Sequence, residues 1–227
     1  MVFSYAGFVL ITAQIAYVSL SYSSPVQSQN ELQLYRLLFG IYALGFSIIT
    51  FLKIGIWPFV TYTVTSWNLM AFRLIFAYLS DAGLHSLRPV ASFLKFPALV
   101  GCTITVFIWW SALVPLIAYL LRHNEKDQSI FLRFNLSFGL INLHLFNLPI
   151  TAVEFLWTST PLTFFDLWCG YFVALLYCLF YLNVLDPLGL HFYIIFSPRT
   201  AFCALSFGLV IGAYYAFYVF WNSSLTQ

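Results

Sequence analysis

The stretch FNLSFGLINLHLFNLPITAVEFLW, Phe134 to Trp157, decides the class of this chain. It is long and apolar enough to cross a bilayer, which takes roughly 20 residues at about 1.5 Å of rise each. Yet it carries Asn135, Ser137, Asn142, His144, Asn147, Thr151 and Glu154. Placing a charged side chain at the centre of a spanning helix costs about 2.5–3.5 kcal/mol on insertion scales, so such residues mark functional or pairing sites. The spacing orders them. From His144, residues Asn147, Thr151 and Glu154 fall at i+3, i+7 and i+10, and Ser137 at i−7, so they share one helix face. Pro149 lies within the same helix, where it removes one N–H and crowds the carbonyl of Leu145. The spacing therefore predicts a loosened backbone beside His144.

The rest of the composition agrees with a membrane setting. Of 227 residues, 62% are hydrophobic and 7% charged, against about 25% charged in a soluble domain. The expected fold class is all-α: a polytopic transmembrane helical bundle of about seven spans. The spans fall near Val2–Tyr22, Leu34–Phe51, Pro58–Leu79, Pro97–Leu121, Phe134–Trp157, Phe164–Leu185 and Thr200–Trp221. The first begins without a basic n-region and is too long for a signal-peptide core, so it reads as a retained helix. Residues 80–95 read as the longest loop, and Pro115 as a kink in the fourth span. The short link after the fifth span predicts that the fifth and sixth are antiparallel neighbours. Lys53, Arg122, Lys126, Arg133 and Arg199 fall on one side and Arg36, Arg88 and Lys95 on the other, which places the N-terminus inside. A net charge of +2 gives no reason to expect a nucleic-acid partner. Cys102, Cys169, Cys178 and Cys203 lie in apolar segments without C-x-x-C spacing and read as small buried hydrophobes. Ala204, Gly208, Gly212 and Ala216 recur every four residues on the last span and read as an internal packing stripe.

A second polar face lies on the third span, where Thr61, Thr65 and Asn68 stand at i, i+4 and i+7. Thr65 is about 12 Å along the axis from Trp57, and His144 about 16 Å from Arg133. If both helices enter from the same side, the alcohol and the imidazole sit at like depth. A threonine hydroxyl becomes a nucleophile when a base takes its proton, and His is the usual base. Asn68, Asn142 and Asn147 carry N–H donors suited to a developing oxyanion. Arg73 reads as a partner for Glu154 or Asp166, and Asp166 as a carboxylate at the positive end of the sixth span. His85, His123 and His191 fall in loops. A haem needs axial ligands at matching depth, and His144 stands alone there. No G-x-S-x-G, H-E-x-x-H or dinucleotide glycine pattern occurs, so no metal and no cofactor is expected.

These elements resemble the androgen-induced membrane hydrolase family, and in part the rolling stone-like proteins. The resemblance runs from about Trp57 to Tyr193. It is carried by His144, Pro149 and Glu154 on the fifth span, by Thr65 with Asn68, by Phe96-Pro97 before the aromatic run Phe107 to Trp110, and by Gly189 with Tyr193. The sequence departs from the family pattern at Leu140-Ile141-Asn142, which lacks a second His, and at Tyr193-Ile194, where the family has Tyr-Pro. The resemblance implies an extra N-terminal helix plus a six-helix core, with residues 1–56 holding helices one and two and 57–227 the family-like part that carries the Thr/His site. It also implies an integral membrane threonine hydrolase of fatty-acid esters of hydroxy fatty acids, with Thr65 as nucleophile and His144 as base. Membrane lipids would be its partners, in the endoplasmic reticulum or the mitochondrial inner membrane. A second expectation of another class stands beside it: a non-catalytic accessory subunit on the same fold, bound to other membrane subunits in a larger assembly such as a respiratory complex of the mitochondrial inner membrane. The low charge, the aromatic richness and the departures motivate it. A transporter ranks third, for no inverted repeat is visible.

Overall fold

A computed structural model describes residues 28–190 and 203–225. The expected first span, Val2–Tyr22, lies outside the described residues. Among the described residues the chain is all-helical, a multi-pass membrane bundle. Five helices are long and apolar enough to cross a bilayer: Gln29–Ile54, His85–Leu120, Phe138–Thr158, Phe164–Leu185 and Cys203–Ser223.

Helix α1 spans Gln29–Ile54. It starts five residues before the expected Leu34, because Ser28 and Glu31 form a reciprocal capping box, at 3.3 and 2.9 Å. It stops at Gly55, whose φ of +83° suits a residue without a Cβ. A 3₁₀ turn, Trp57–Val60, takes up Pro58. Helix α2, Tyr62–Asp81, begins only after it, with the Thr61 side chain accepting from the Val64 N–H. The helix therefore starts four residues later than expected.

Residues 80–95 are not one loop. After a turn and a short 3₁₀ segment, His85–Leu87, helix α3 runs Arg88–Ile108. Pro89 sits in its first turn, where a missing N–H costs nothing. Pro97, expected to open a span, is instead buried inside the helix. A π segment, Trp109–Leu113, leads into α4, Val114–Leu120. The expected fifth span is interrupted. Helix α5, Glu125–Asn135, is separate and capped by Asn124. Then α6, Phe138–Ile141, a π segment, Asn142–Phe146, and α7, Asn147–Thr158, form one column. Helix α8 is Phe164–Phe180, extended by a π segment, Tyr181–Leu185, and α9 is Cys203–Ser223.

Helix α3 is the centre of the bundle. It packs against α2, α7, α8 and α9. Gly101 lets α2 approach, since a Cβ there would lie 2.7 Å from Ser66 Oγ. Phe96, Leu99, Val100, Ala152, Phe155 and Leu167 form its main apolar core. Helix α8 lies chiefly against α3 and α9, not beside α7 as the short link suggested. Lys95 holds that link by donating to the carbonyls of Thr160 and Pro161, at 2.8 and 3.1 Å. Among the described residues nothing packs on the small-residue stripe. Ala204, Gly208, Gly212 and Ala216 are all exposed, and a Cβ on either glycine would meet nothing within 4 Å.

One polar contact ties α1, α2 and α7 together. Glu154 Oε1 accepts from Arg73 Nη2 at 2.8 Å and from Arg36 Nε and Nη2 at 2.9 and 2.5 Å. Arg36 also reaches Asp81 at 2.5 Å and Thr158 at 2.9 Å, and Arg73 donates to the Ala91 carbonyl at 2.8 Å. Arg36, Arg73 and Glu154 are all buried. Removing one member of such a group strands the remaining charge away from water. Glu154→Gln should therefore cost about 3–5 kcal/mol. Thermal unfolding in detergent micelles should show a clearly lowered midpoint; an unchanged one would mean the two guanidiniums are balanced elsewhere.

Candidate active site

Helix α2 and the α6–α7 column run parallel. Arg73 meets Glu154 near one end, and ten residues earlier on each helix Thr63 meets His144. Thr63 Oγ1 lies 3.4 Å from His144 Nε2, and His144 Nδ1 lies 3.2 Å from the Leu140 carbonyl. A carbonyl can only accept, so Nδ1 carries the proton in the neutral ring. Nε2 is then free to accept from the Thr63 hydroxyl.

Thr65 is not the alcohol at this imidazole. Its hydroxyl turns back and donates to the Thr61 carbonyl at 2.9 Å. Two residues along a helix rotate a side chain by about 200°, so Thr63 and Thr65 point to opposite sides. Thr65 shares its line with Phe72, which is 44% exposed, while Thr63 shares its line with the buried Trp67, Met70 and Leu74. The signal for Thr63 was present in the sequence. With Pro58 in a turn and Thr61 as N-cap, Thr63 falls in the first helical turn, where a hydroxyl lacks an in-helix carbonyl one turn back.

The expected oxyanion donors are engaged with their own helices. Asn68 Nδ2 donates to Val64, Asn142 Nδ2 to Phe138 and Asn147 Nδ2 to Leu143, at 2.9, 2.8 and 2.8 Å. The Asn68 carbonyl oxygen accepts from Ser47 at 2.8 Å, and that of Asn142 from the Tyr42 hydroxyl. Asn147 Oδ1 is buried without a partner. A different donor lies closer. Thr63 is the second residue of α2, and its own backbone N–H has no acceptor in the preceding turn. Asp166 is a cap, with its carboxylate accepting from the Thr163 N–H and hydroxyl, both at 2.7 Å. Arg73 takes Glu154 and not Asp166.

The surroundings of His144 come from the two π segments. Each widens its helix just before a proline, Pro115 after Trp109–Leu113 and Pro149 after Asn142–Phe146. Widening frees backbone carbonyls, and side chains take them up. Trp110 Nε1 donates to the His144 carbonyl at 2.6 Å, and Asn147 Nδ2 takes that of Leu143. The Trp109 indole stacks on the His144 ring, with centroids 3.7 Å apart and planes 22° apart. Its Nε1 donates to Asn135 Oδ1 at 2.9 Å. Neither tryptophan nor Asn135 was singled out as a site residue from sequence, where the aromatic run served only as a motif.

Comparisons with protein-family models, with curated proteins and with solved structures find no match to this chain.

Trp110→Phe tests the backbone arrangement. It removes the indole donor from the buried His144 carbonyl and should destabilise by about 1–3 kcal/mol. Thermal unfolding alongside a neutral surface variant measures it; an equal midpoint would mean that carbonyl finds another donor.

Proposed function

We propose that the chain is a membrane-embedded hydrolase of lipid esters, with Thr63 in the nucleophile's place and His144 as its base. One observation supports this most: a buried imidazole whose Nδ1 is spoken for by a backbone carbonyl and whose Nε2 faces an alcohol at 3.4 Å. That separation is slightly looser than the roughly 2.6–3.2 Å of an engaged pair, as resting sites often are.

In this reading Thr63 Oγ attacks the acyl carbonyl while its proton passes to His144 Nε2. The carbonyl oxygen gathers negative charge, and the Thr63 N–H at the positive end of α2 lies beside it. The tetrahedral adduct collapses. The ester's alkoxide departs with the proton from Nε2 and leaves an acyl-threonine. Water then attacks that ester, His144 takes its proton, and the acid leaves as Thr63 Oγ is reprotonated. Substrate arrives from the bilayer. Ile108 and Phe146, neighbours of the site in sequence, are 44% and 49% exposed and offer an apolar margin to lipid chains. Fatty-acid esters of hydroxy fatty acids are the substrate class that the family resemblance adds. Thr65, the nucleophile by that resemblance, yields its place to Thr63 on geometry.

A second reading, an accessory subunit of a larger membrane assembly, has its own observation. Each amide nitrogen of Asn68, Asn142 and Asn147 donates to a carbonyl of its own helix, as in a self-contained scaffold.

Labelling with a fluorophosphonate probe in micelles separates the two. Thr63→Ala and His144→Ala should each abolish labelling, and Thr65→Ala should retain it. Loss with Thr65→Ala and retention with Thr63→Ala would return the nucleophile to Thr65. A protein that never labels, and that is recovered only with other membrane subunits, would favour the scaffold.

A further inference from the structure

A buried imidazole that accepts a proton becomes a buried cation. In a Ser-His-Asp arrangement a carboxylate orients the ring and steadies that charge. Here none does. Glu154 is ten residues further along the column, about 15 Å away. Its contacts are with Arg36, Arg73 and Thr158. Among the described residues the His144 ring meets the Leu140 carbonyl, Thr63 and the Trp109 indole.

We propose that Trp109, held by Asn135, is the positioning residue for His144, doing by ring stacking what a carboxylate does in a triad. The inference rests on the reading of Thr63 and His144 as an alcohol–base pair. Three observations carry it. The indole covers one face of the imidazole at 3.7 Å, so the ring cannot turn about its Cβ–Cγ bond without displacing it. The orientation thus fixed points Nδ1 at Leu140 and Nε2 at Thr63. The indole is itself anchored: its Nε1 donates to Asn135, which is 2% exposed and whose Nδ2 donates to the Phe131 carbonyl at 2.8 Å. Anchor, indole and imidazole thus form a chain from α5 across the α3–α4 junction to the α6–α7 column. An aromatic face also attracts a cation, so the same contact steadies the imidazolium once the proton has moved. The π segment beginning at Trp109 lets two adjacent indoles serve one histidine, Trp109 on its ring and Trp110 on its carbonyl.

The test uses the full chain in micelles, labelled with ¹⁵N-histidine, and reads the ring-nitrogen shifts of His144 at neutral pH. The signal is assigned by its loss in His144→Gln. The unsubstituted protein should show one tautomer, protonated on Nδ1. Trp109→Leu should give a mixture of tautomers and slow probe labelling on the order of a hundredfold, the scale of an ångström-sized misplacement. Trp109→Phe, which keeps a stacking face, should restore the single tautomer and most of the rate. Asn135→Leu, which leaves the π segment untouched, should give a partial mixture. A single unchanged tautomer in both Trp109→Leu and Asn135→Leu would overturn the proposal, even with labelling intact. Tautomer mixing in a protein that never labels would uphold the positioning role and reject the hydrolase.

Discussion

Everything at the Thr63–His144 site depends on a carboxylate buried between two guanidiniums. Glu154 takes Arg73 from α2 and Arg36 from α1 on a single oxygen. Burying three charges at a bundle end is expensive, and the return in net stability is small. What the contact supplies is register. Arg73 to Glu154 and Thr63 to His144 span the same sequence separation, 81 residues, on helices that run parallel. Once the ion pair is made, Thr63 is level with His144 and no sliding alternative keeps both contacts. A carboxylate ten residues along the column from the imidazole thus decides which alcohol that imidazole meets.

The second constraint is the pairing of prolines with widened turns. Three π segments occur among the described residues, Trp109–Leu113, Asn142–Phe146 and Tyr181–Leu185. Pro115, Pro149 and Pro187 follow them by two or three residues. A proline inside a helix deletes an N–H and pushes against the carbonyl one turn back, and an extra residue in that turn relieves the push. Within a bilayer the freed carbonyls must find donors inside the protein. Trp110 and Asn147 supply them near His144, so the backbone irregularity and the polar side chains of the fifth span belong to one solution. An asparagine there serves first to quiet its own helix.

That division explains what the sequence made legible. Existence and type of the five long apolar helices follow from their length and composition, and the polar face from His144 to Glu154 follows from spacing, whereas α5, over a charged stretch, does not follow from either. Pro149 foretold the loosened turn. The boundaries were misplaced where a cap outweighed a proline: Ser28 with Glu31 opens α1 early, and Thr61 opens α2 late. The second error propagated, since a start at Pro58 makes Thr63 an interior residue with a spent hydroxyl. Arg36 was assigned to a span end by its charge, but its partners lie 45 and 118 residues away, at a distance no local pattern reports. The small residues of α9 show the reverse limit. Their spacing allows close packing without requiring it, and among the described residues no helix covers them.

The hydroxyls of the bundle give the last step. Thr65, Ser66, Thr103, Thr151 and Thr158 each donate to the carbonyl four residues back. In a medium without water this is the nearest acceptor, and it holds the proton that a base would need to take. Most interior alcohols of the spanning helices are therefore quenched by their own backbone, while Ser47 turns to Asn68 and Thr105 Oγ1, among the described residues, is buried without a partner. Thr63 escapes because the residue four back, Phe59, belongs to the 3₁₀ turn before α2, and its hydroxyl goes to His144 instead. The same position leaves its N–H, among the described residues, without a backbone acceptor at the positive end of the helix. A membrane helix that presents both a free alcohol and a free amide does so at its first turn, and Pro58 with Thr61 puts that turn beside the imidazole.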